Sequence, residues 1–182
     1  MKNHSLQTES TDWLGEAAEC LVRYVIAEAL RRTKKEKSGK NHIPYWVFGA
    51  SKWGSDIAVI ESAGRVQKLV CLIEVKSGGI GSWKKLSSKF YQYNFLVRVE
   101  LQVDGGFRIK FYKTKGLEKK VSKKLKHQDI SPDLIIVLGS DVGGKKDAPA
   151  GKRVSNWGGV LVKFLESGIT PKAGPIIYFN SN

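Results

Sequence analysis

Two apolar runs with a turn between them constrain this chain more than any other feature. Ser55–Glu61 and Lys68–Lys76 are rich in Val, Ile and Leu, and Ser62–Gln67 between them contains Gly64. The pattern predicts two strands joined by a turn. Alternate residues of a strand face one side, so Glu74 and Lys76 are expected to point the same way, with Val70 and Leu72 beside them. Antiparallel pairing sets the start of the first run against the end of the second. Asp56, which opens the first run, then lies next to Glu74 and Lys76, and the 17 residues between Asp56 and Glu74 suit such a hairpin. A carboxylate and an ammonium at the end of an apolar face are costly to bury unless they pair or bind something.

The rest of the chain reads around this hairpin. Leu14, Ala18, Leu21, Val22, Val25 and Ala29 recur at helical spacing and predict a first helix from about Thr11 to Arg32, capped by Ser10, Thr11 or Asp12. It should end in the basic stretch Lys34–Lys40, and Ile43–Phe48 reads as the approach to a strand. Trp83, Leu86, Phe90 and Tyr93 predict a helix from about Ser82 to Tyr93. Alternation in Val97, Val99, Leu101, Val103 and in Phe107, Ile109, Phe111, around Asp104-Gly105-Gly106, predicts a second hairpin. A short basic helix over Leu117–Lys126, a buried strand at Leu134–Leu138, and final strands at Val160–Leu165 and Ile176–Phe179 complete the reading. Gly139–Asn156, rich in Gly, Ala and Lys, is expected to be a long mobile loop. The expectation is one domain over residues 1–182 of α/β (α+β) class, a mixed central sheet flanked by helices.

Charge narrows the partner. Thirty-one Lys and Arg against 17 Asp and Glu give a net +14 on 182 residues. Such a field favours a polyanion, most simply nucleic acid. An anionic membrane surface and plain solubility are the alternatives. No apolar run is longer than Leu69–Ile73, which is far too short to span a bilayer, and Met1–Ser10 has no apolar signal-peptide core. Cys20 and Cys71 alone make neither a zinc cluster nor a disulfide framework. A soluble, intracellular, cytoplasmic protein is expected, with no membrane association and no small-molecule cofactor.

Asp56, Glu74 and Lys76 carry the chemistry. Two converging carboxylates form a hard-oxygen site suited to Mg²⁺, with Mn²⁺ able to substitute, and the Val75 carbonyl offers a third ligand. Such a metal polarises a phosphodiester and activates water, while Lys76 positions or deprotonates that water or stabilises charge on the phosphate. A structural ion-pair cluster protecting a sheet edge is the alternative.

Asp56, a spacer, then Glu74-Val75-Lys76 resembles the signature of the PD-(D/E)XK nuclease superfamily. The superfamily includes restriction endonucleases and archaeal Holliday junction resolvases, and the first 90 residues are most similar to the resolvases. Those enzymes carry Gly-x-x-x-Glu in the first helix, matched by Gly15 and Glu19, a Gly/Ser stretch matched by Gly49–Ser55, and Ile-Glu-Val-Lys matched by Ile73–Lys76. Ser55 stands where the nominal motif has proline, the spacer to Glu74 is longer than in the resolvases, and nothing after about Gly106 is matched. The resemblance implies a restriction-endonuclease-like core with Asp56 and Glu74 as metal ligands, Lys76 as the catalytic lysine and Glu19 supporting the metal or a second one. Helical phase also selects Glu19, which falls at the edge of the apolar stripe, whereas Glu16 falls toward solvent. A surface pair of Glu19 with Arg23 is the alternative.

Further residues are candidates for DNA contact. Arg98, Arg108 and Lys110 fall on the polar face of the second hairpin, and Arg108–Lys126 holds nine Lys and Arg against the single acid Glu118. Lys145 and Lys146 lie in the long loop. Trp53, three residues before Asp56, is the best placed of the tryptophans to stack on a base, although packing is the commoner role. Ser51 and Ser55 are candidates for the scissile phosphate, against turn hydrogen bonding. The expected function is a Mg²⁺-dependent DNA endonuclease acting as a homodimer on branched or duplex DNA. A type II restriction endonuclease and a non-catalytic nucleic-acid-binding module are the alternatives.

Overall fold

The computed structural model describes residues 5–36, 45–49, 54–63, 65–77, 83, 87–101, 106–123, 130–138, 157–167 and 176–177. Ser51, Trp53, Lys145, Lys146 and the loop expected at 139–156 lie outside the described residues. The elements are α1 (Ser5–Glu36), β1 (Tyr45–Gly49), β2 (Ile57–Ala63), β3 (Val66–Lys76), a 3-10 helix (Ser87–Gln92), β4 (Phe95–Leu101), β5 (Phe107–Lys113), α2 (Leu117–Lys123), β6 (Leu134–Leu138), α3 (Trp157–Ser167) and β7 (Ile176–Ile177). The protein is mixed α+β. The strands form one mixed sheet in the order β1-β2-β3-β4-β5-β6, with β7 pairing β3 off this path. Neighbours are antiparallel except β3 and β4, which run parallel and are joined through the 3-10 helix.

The central hairpin forms as the sequence predicts. β2 and β3 pair from Ala63↔Val66 to Ile57↔Ile73, which leaves two residues for the turn. Val70 departs from the expectation. The register slips between Val59 and Ile60, so that Val59 faces Cys71 and Ile60 faces Leu69. Val70 is therefore the extra residue of a β-bulge and joins Cys71 in the core instead of standing beside Glu74.

Register separates the sheet into two faces. Ile57, Val59, Ile73, Val75, Phe95, Val97, Ile109 and Phe111 pack in one cluster with Ala18, Val22, Val25, Ile26 and Ala29 of α1 and Leu161, Val162 and Leu165 of α3. Fully burying each large apolar side chain is worth about 1.5–3 kcal/mol, so this face holds α1 and α3 on the sheet. The opposite face presents Glu74, Lys76, Leu96, Arg98, Glu100, Arg108, Lys110 and Tyr112. A second cluster covers part of it: Leu96 and Tyr112 pack with Trp83, Phe90, Leu117, Val121 and Ile130. Trp83 meets the Tyr112 ring edge-on, with centroids 4.9 Å apart.

Four other expectations are corrected. The first helix starts at Ser5 and ends at Glu36, because nothing in Leu6–Glu9 or Thr33–Glu36 breaks a helix, and Leu14 is half exposed instead of joining the stripe. The helix expected over Ser82–Tyr93 is, where described, a 3-10 helix over Ser87–Gln92 with Trp83 in a helical position, although Trp83, Phe90 and Tyr93 are buried as the spacing requires. The strand expected at Val160–Leu165 is the helix α3. Its buried residues Gly158, Leu161, Val162 and Leu165 follow a helical period that the β-branched run masks. Finally, Leu134–Leu138 is a half-buried strand at the end of the sheet path, with Leu134, Ile136 and Leu138 on the core and Val137 exposed.

Gly158 explains how α3 docks. A Cβ there would meet the Ala29 carbonyl oxygen at 3.0 Å and the Ala29 Cα at 3.3 Å, so any larger residue must push α1 away by a few tenths of an ångström. Arg32 then lies over the Trp157 ring at 5.2 Å.

Candidate functional site

The site is built where the β2–β3 ladder stops. Pairing ends at Ile57↔Ile73, whereas β3 goes on beside β4 to Lys76↔Arg98. Glu74, Val75 and Lys76 thus run past the end of β2. The Val75 amide, beyond the ladder, donates to Asp56 Oδ2 at 2.6 Å. Asp56 lies in a bend one residue before β2, not within the strand as expected, and that position lets its side chain act where a strand partner would. The N–H and C=O of a strand residue leave on the same side, so the Val75 carbonyl points toward this open end as well. Ser55 is buried, and its hydroxyl lies 2.8 Å from the Ile73 carbonyl and 3.3 Å from the Ile57 carbonyl. It is spent on the main chain, which matches the turn-bonding alternative, and holds the approach to Asp56 in place.

Glu74 and Lys76 share the polar face. Lys76 Nζ is 2.7 Å from Glu74 Oε1 and 3.8 Å from Asp56 Oδ2. One ammonium therefore serves two carboxylates. The Glu74 side chain is 9 % exposed. Burial pushes its carboxyl above the usual range; the Lys76 hydrogen bond opposes this, and the Asp56 and Glu19 charges add to it.

Glu19 joins the same field from α1. Its carboxyl is raised first by burial and next by the Asp56 charge, with Lys76 and Arg23 opposing. Glu16 is exposed, so the helical phase distinguished the two as expected. Arg23 turns its Nη2 to the Cys20 sulfur at 3.1 Å.

The donor set has the chemistry of a hard-cation site: carboxylates from Asp56, Glu74 and Glu19 and a carbonyl, with an ammonium already drawn between two of the carboxylates. Among the described residues no group of three or more His, Cys, Asp or Glu is placed to hold a metal ion together. Asp56 and Glu74, joined through Lys76, are the carboxylates that could hold a divalent cation.

Two residues escaped the sequence reading. Tyr93 is buried, and its phenol is pushed up by burial and by the Glu74 and Asp56 charges, which puts it beside the site. Its helical spacing marked it only as core. Glu100 is the other. It receives Lys110 Nζ at 2.8 Å and lies 3.3 Å from Arg98 Nη1. Alternation from Arg98 places Glu100 on the polar face, so the signal was present in the sequence. Arg98, Lys110 and Arg108 are all on that face, as expected.

No protein-family model, no curated protein and no solved structure matches this chain. Its fold and site define an α+β protein whose mixed sheet carries a carboxylate–lysine cluster at the open end of a β-hairpin.

Proposed function

We propose that this protein is a Mg²⁺-dependent DNA endonuclease of the PD-(D/E)XK type, with a restriction-endonuclease-like core, that hydrolyses phosphodiester bonds in branched, four-way-junction-like DNA. The observation that carries this reading is the meeting of Asp56, Glu74 and Lys76 at one strand end, with Glu19 in their field. A structural ion pair needs one carboxylate per lysine, and a cluster with surplus, partly buried negative charge suits a cation-binding role. The net +14 supports a polyanionic substrate independently.

In this reading Asp56, Glu74 and the Val75 carbonyl hold the divalent cation, and Glu19 assists. The bound cation supplies Lewis acidity toward the phosphodiester. Lys76, released from Glu74, orients the attacking water and faces the charge that builds on the phosphate. Asp56 keeps the end of β3 in place through the Val75 amide, so the Glu74 and Lys76 side chains are aimed before substrate arrives. Cutting two strands calls for two such sites, and a symmetric homodimer provides them.

The test is a cleavage assay in Mg²⁺ on a fixed four-way junction and on linear duplex, with wild type and Lys76→Ala side by side and an EDTA control. Symmetric nicks in the junction alone, absent with Lys76→Ala or EDTA, are expected. Discrete duplex fragments would instead indicate a restriction endonuclease. Binding without metal-dependent product from either DNA would leave a non-catalytic nucleic-acid-binding module.

A further inference from the structure

The polar face of the sheet carries a cationic row that starts at the candidate site. Register sets Lys76 beside Arg98 and Arg98 beside Lys110, on three adjacent strands. At about 4.8 Å between strands, the row spans roughly 10 Å. A row of that length is long enough to meet more than one phosphate of a nucleic-acid strand. Arg108, in register with Glu100, adds a further cation on the same face.

In the free protein two of these cations are occupied from within. Both Glu100 oxygens lie 2.8 Å from Lys110 Nζ, and Oε1 is 3.3 Å from Arg98 Nη1. This arrangement serves the arginine poorly. Arg98 Nε and Arg108 Nε are both buried with no hydrogen-bond partner among the described residues. Leaving such a donor unmet costs about 1–3 kcal/mol. A phosphodiester, with two non-bridging oxygens, matches the Nε/Nη edge of a guanidinium in a way a carboxylate held at Nη1 alone does not. The side chains of Arg98, Glu100 and Lys110 are each about one-fifth exposed, so the cluster meets solvent, and the buried Arg98 Nε comes within reach of a phosphate only when the guanidinium turns outward on release from Glu100.

We propose that Glu100 is a built-in competitor for the DNA backbone, holding Arg98 and Lys110 in the free protein and yielding them to a strand laid across β3, β4 and β5 toward the carboxylate cluster. The proposal rests on DNA being the substrate of that cluster. Glu100 raises the threshold for binding: a single phosphate cannot displace it, whereas a run of phosphates engaging Lys76, Arg98, Lys110 and Arg108 together can. Affinity for short or isolated phosphates is thereby suppressed relative to a continuous backbone.

The test is metal-free. A fluorescein-labelled DNA duplex is titrated in EDTA over a series of salt concentrations, and anisotropy gives affinity and salt slope, with a melting curve for each variant. Glu100→Gln should bind several-fold tighter, because no carboxylate has to be displaced from Arg98 and Lys110 before they meet phosphates. Arg98→Gln and Lys110→Gln should each weaken binding and flatten the slope by about 1. Unchanged or weaker binding by a folded Glu100→Gln overturns the proposal. Should that variant not fold, slopes for Arg98→Gln and Lys110→Gln equal to wild type do the same. The two readings fail separately. Lys76-dependent cleavage with salt slopes indifferent to Arg98 and Lys110 removes the Glu100 role alone; the predicted slopes without metal-dependent cleavage remove the nuclease reading alone.

Discussion

The Asp56 carboxylate accepts a hydrogen bond from the Val75 amide at 2.6 Å, and this one contact ties the residue before β2 to the end of β3. It gives Asp56 a structural duty beside its proposed chemical one. Asp56→Ala should therefore lower stability as well as abolish cleavage. Hydrogen bonds to charged groups contribute about 1.5–3 kcal/mol, and partial exposure of Asp56 puts the loss near the lower end. A denaturant melt of the metal-free variant measures it; unchanged stability would mean the bond is not kept in solution.

Glu19 should behave in the opposite way. Its carboxyl is raised by burial and by Asp56, so the folded state binds a proton more readily than the unfolded chain. Where the folded pKa exceeds the unfolded one, stability falls as pH rises through the window between them and stays lower above it. Glu19→Gln should thus raise the melting temperature of the metal-free protein near neutral pH and flatten its decline above the ordinary carboxylate range. Melts from pH 4 to 8 in EDTA check this, and a lowered melting temperature would contradict it. Cleavage should fall further in Glu19→Gln than in Glu16→Gln.

Lys76 is tied to Glu74 at 2.7 Å and faces Asp56 at 3.8 Å. Lys76→Ala should reduce cleavage by about 10²–10⁴-fold, the range for a lost catalytic group, while metal-free DNA affinity stays within a few fold. Single-turnover cleavage and anisotropy separate the two effects. Wild-type cleavage in this variant would remove Lys76 from the chemistry.

Gly158 sits 3.0 Å, measured from where a Cβ would be, from the Ala29 carbonyl oxygen. Gly158→Val forces α1 and α3 apart and should cost about 1–3 kcal/mol. Because α1 carries Glu19, cleavage should fall with stability. Urea unfolding quantifies the first effect, and stability equal to wild type would mean the helices separate freely.

The two cysteines should react unequally. Cys20 is exposed, while Cys71 is fully buried and its thiol is pushed far up by burial. One thiol should react with a chromogenic disulfide reagent in the native protein and two in denaturant.

The sequence by itself determined the two hairpins and the cluster at the end of the first. Their residues are neighbours along the chain or across a tight turn, and strand alternation is a local rule. Asp56, Glu74 and Lys76 were legible because one antiparallel register suffices to bring them together. The helical phase of Glu19 was legible for the same reason. What the tertiary structure decided involves more than one element at once. The bulge at Val70 answers to packing on α1 and α3, and no local signal marks it. Residues Val160–Leu165 have strand-like composition, and only the chance to bury Leu161, Val162 and Leu165 against α1 and the sheet makes them helical. Glu100 acquires its hold on Lys110 across the β4–β5 ladder, and the Glu19 carboxyl is raised first by burial under the packed helices and then by a charge 37 positions away in the chain. Periodicity records which face a residue takes. Which faces meet is settled by the burial free energy of the whole sheet.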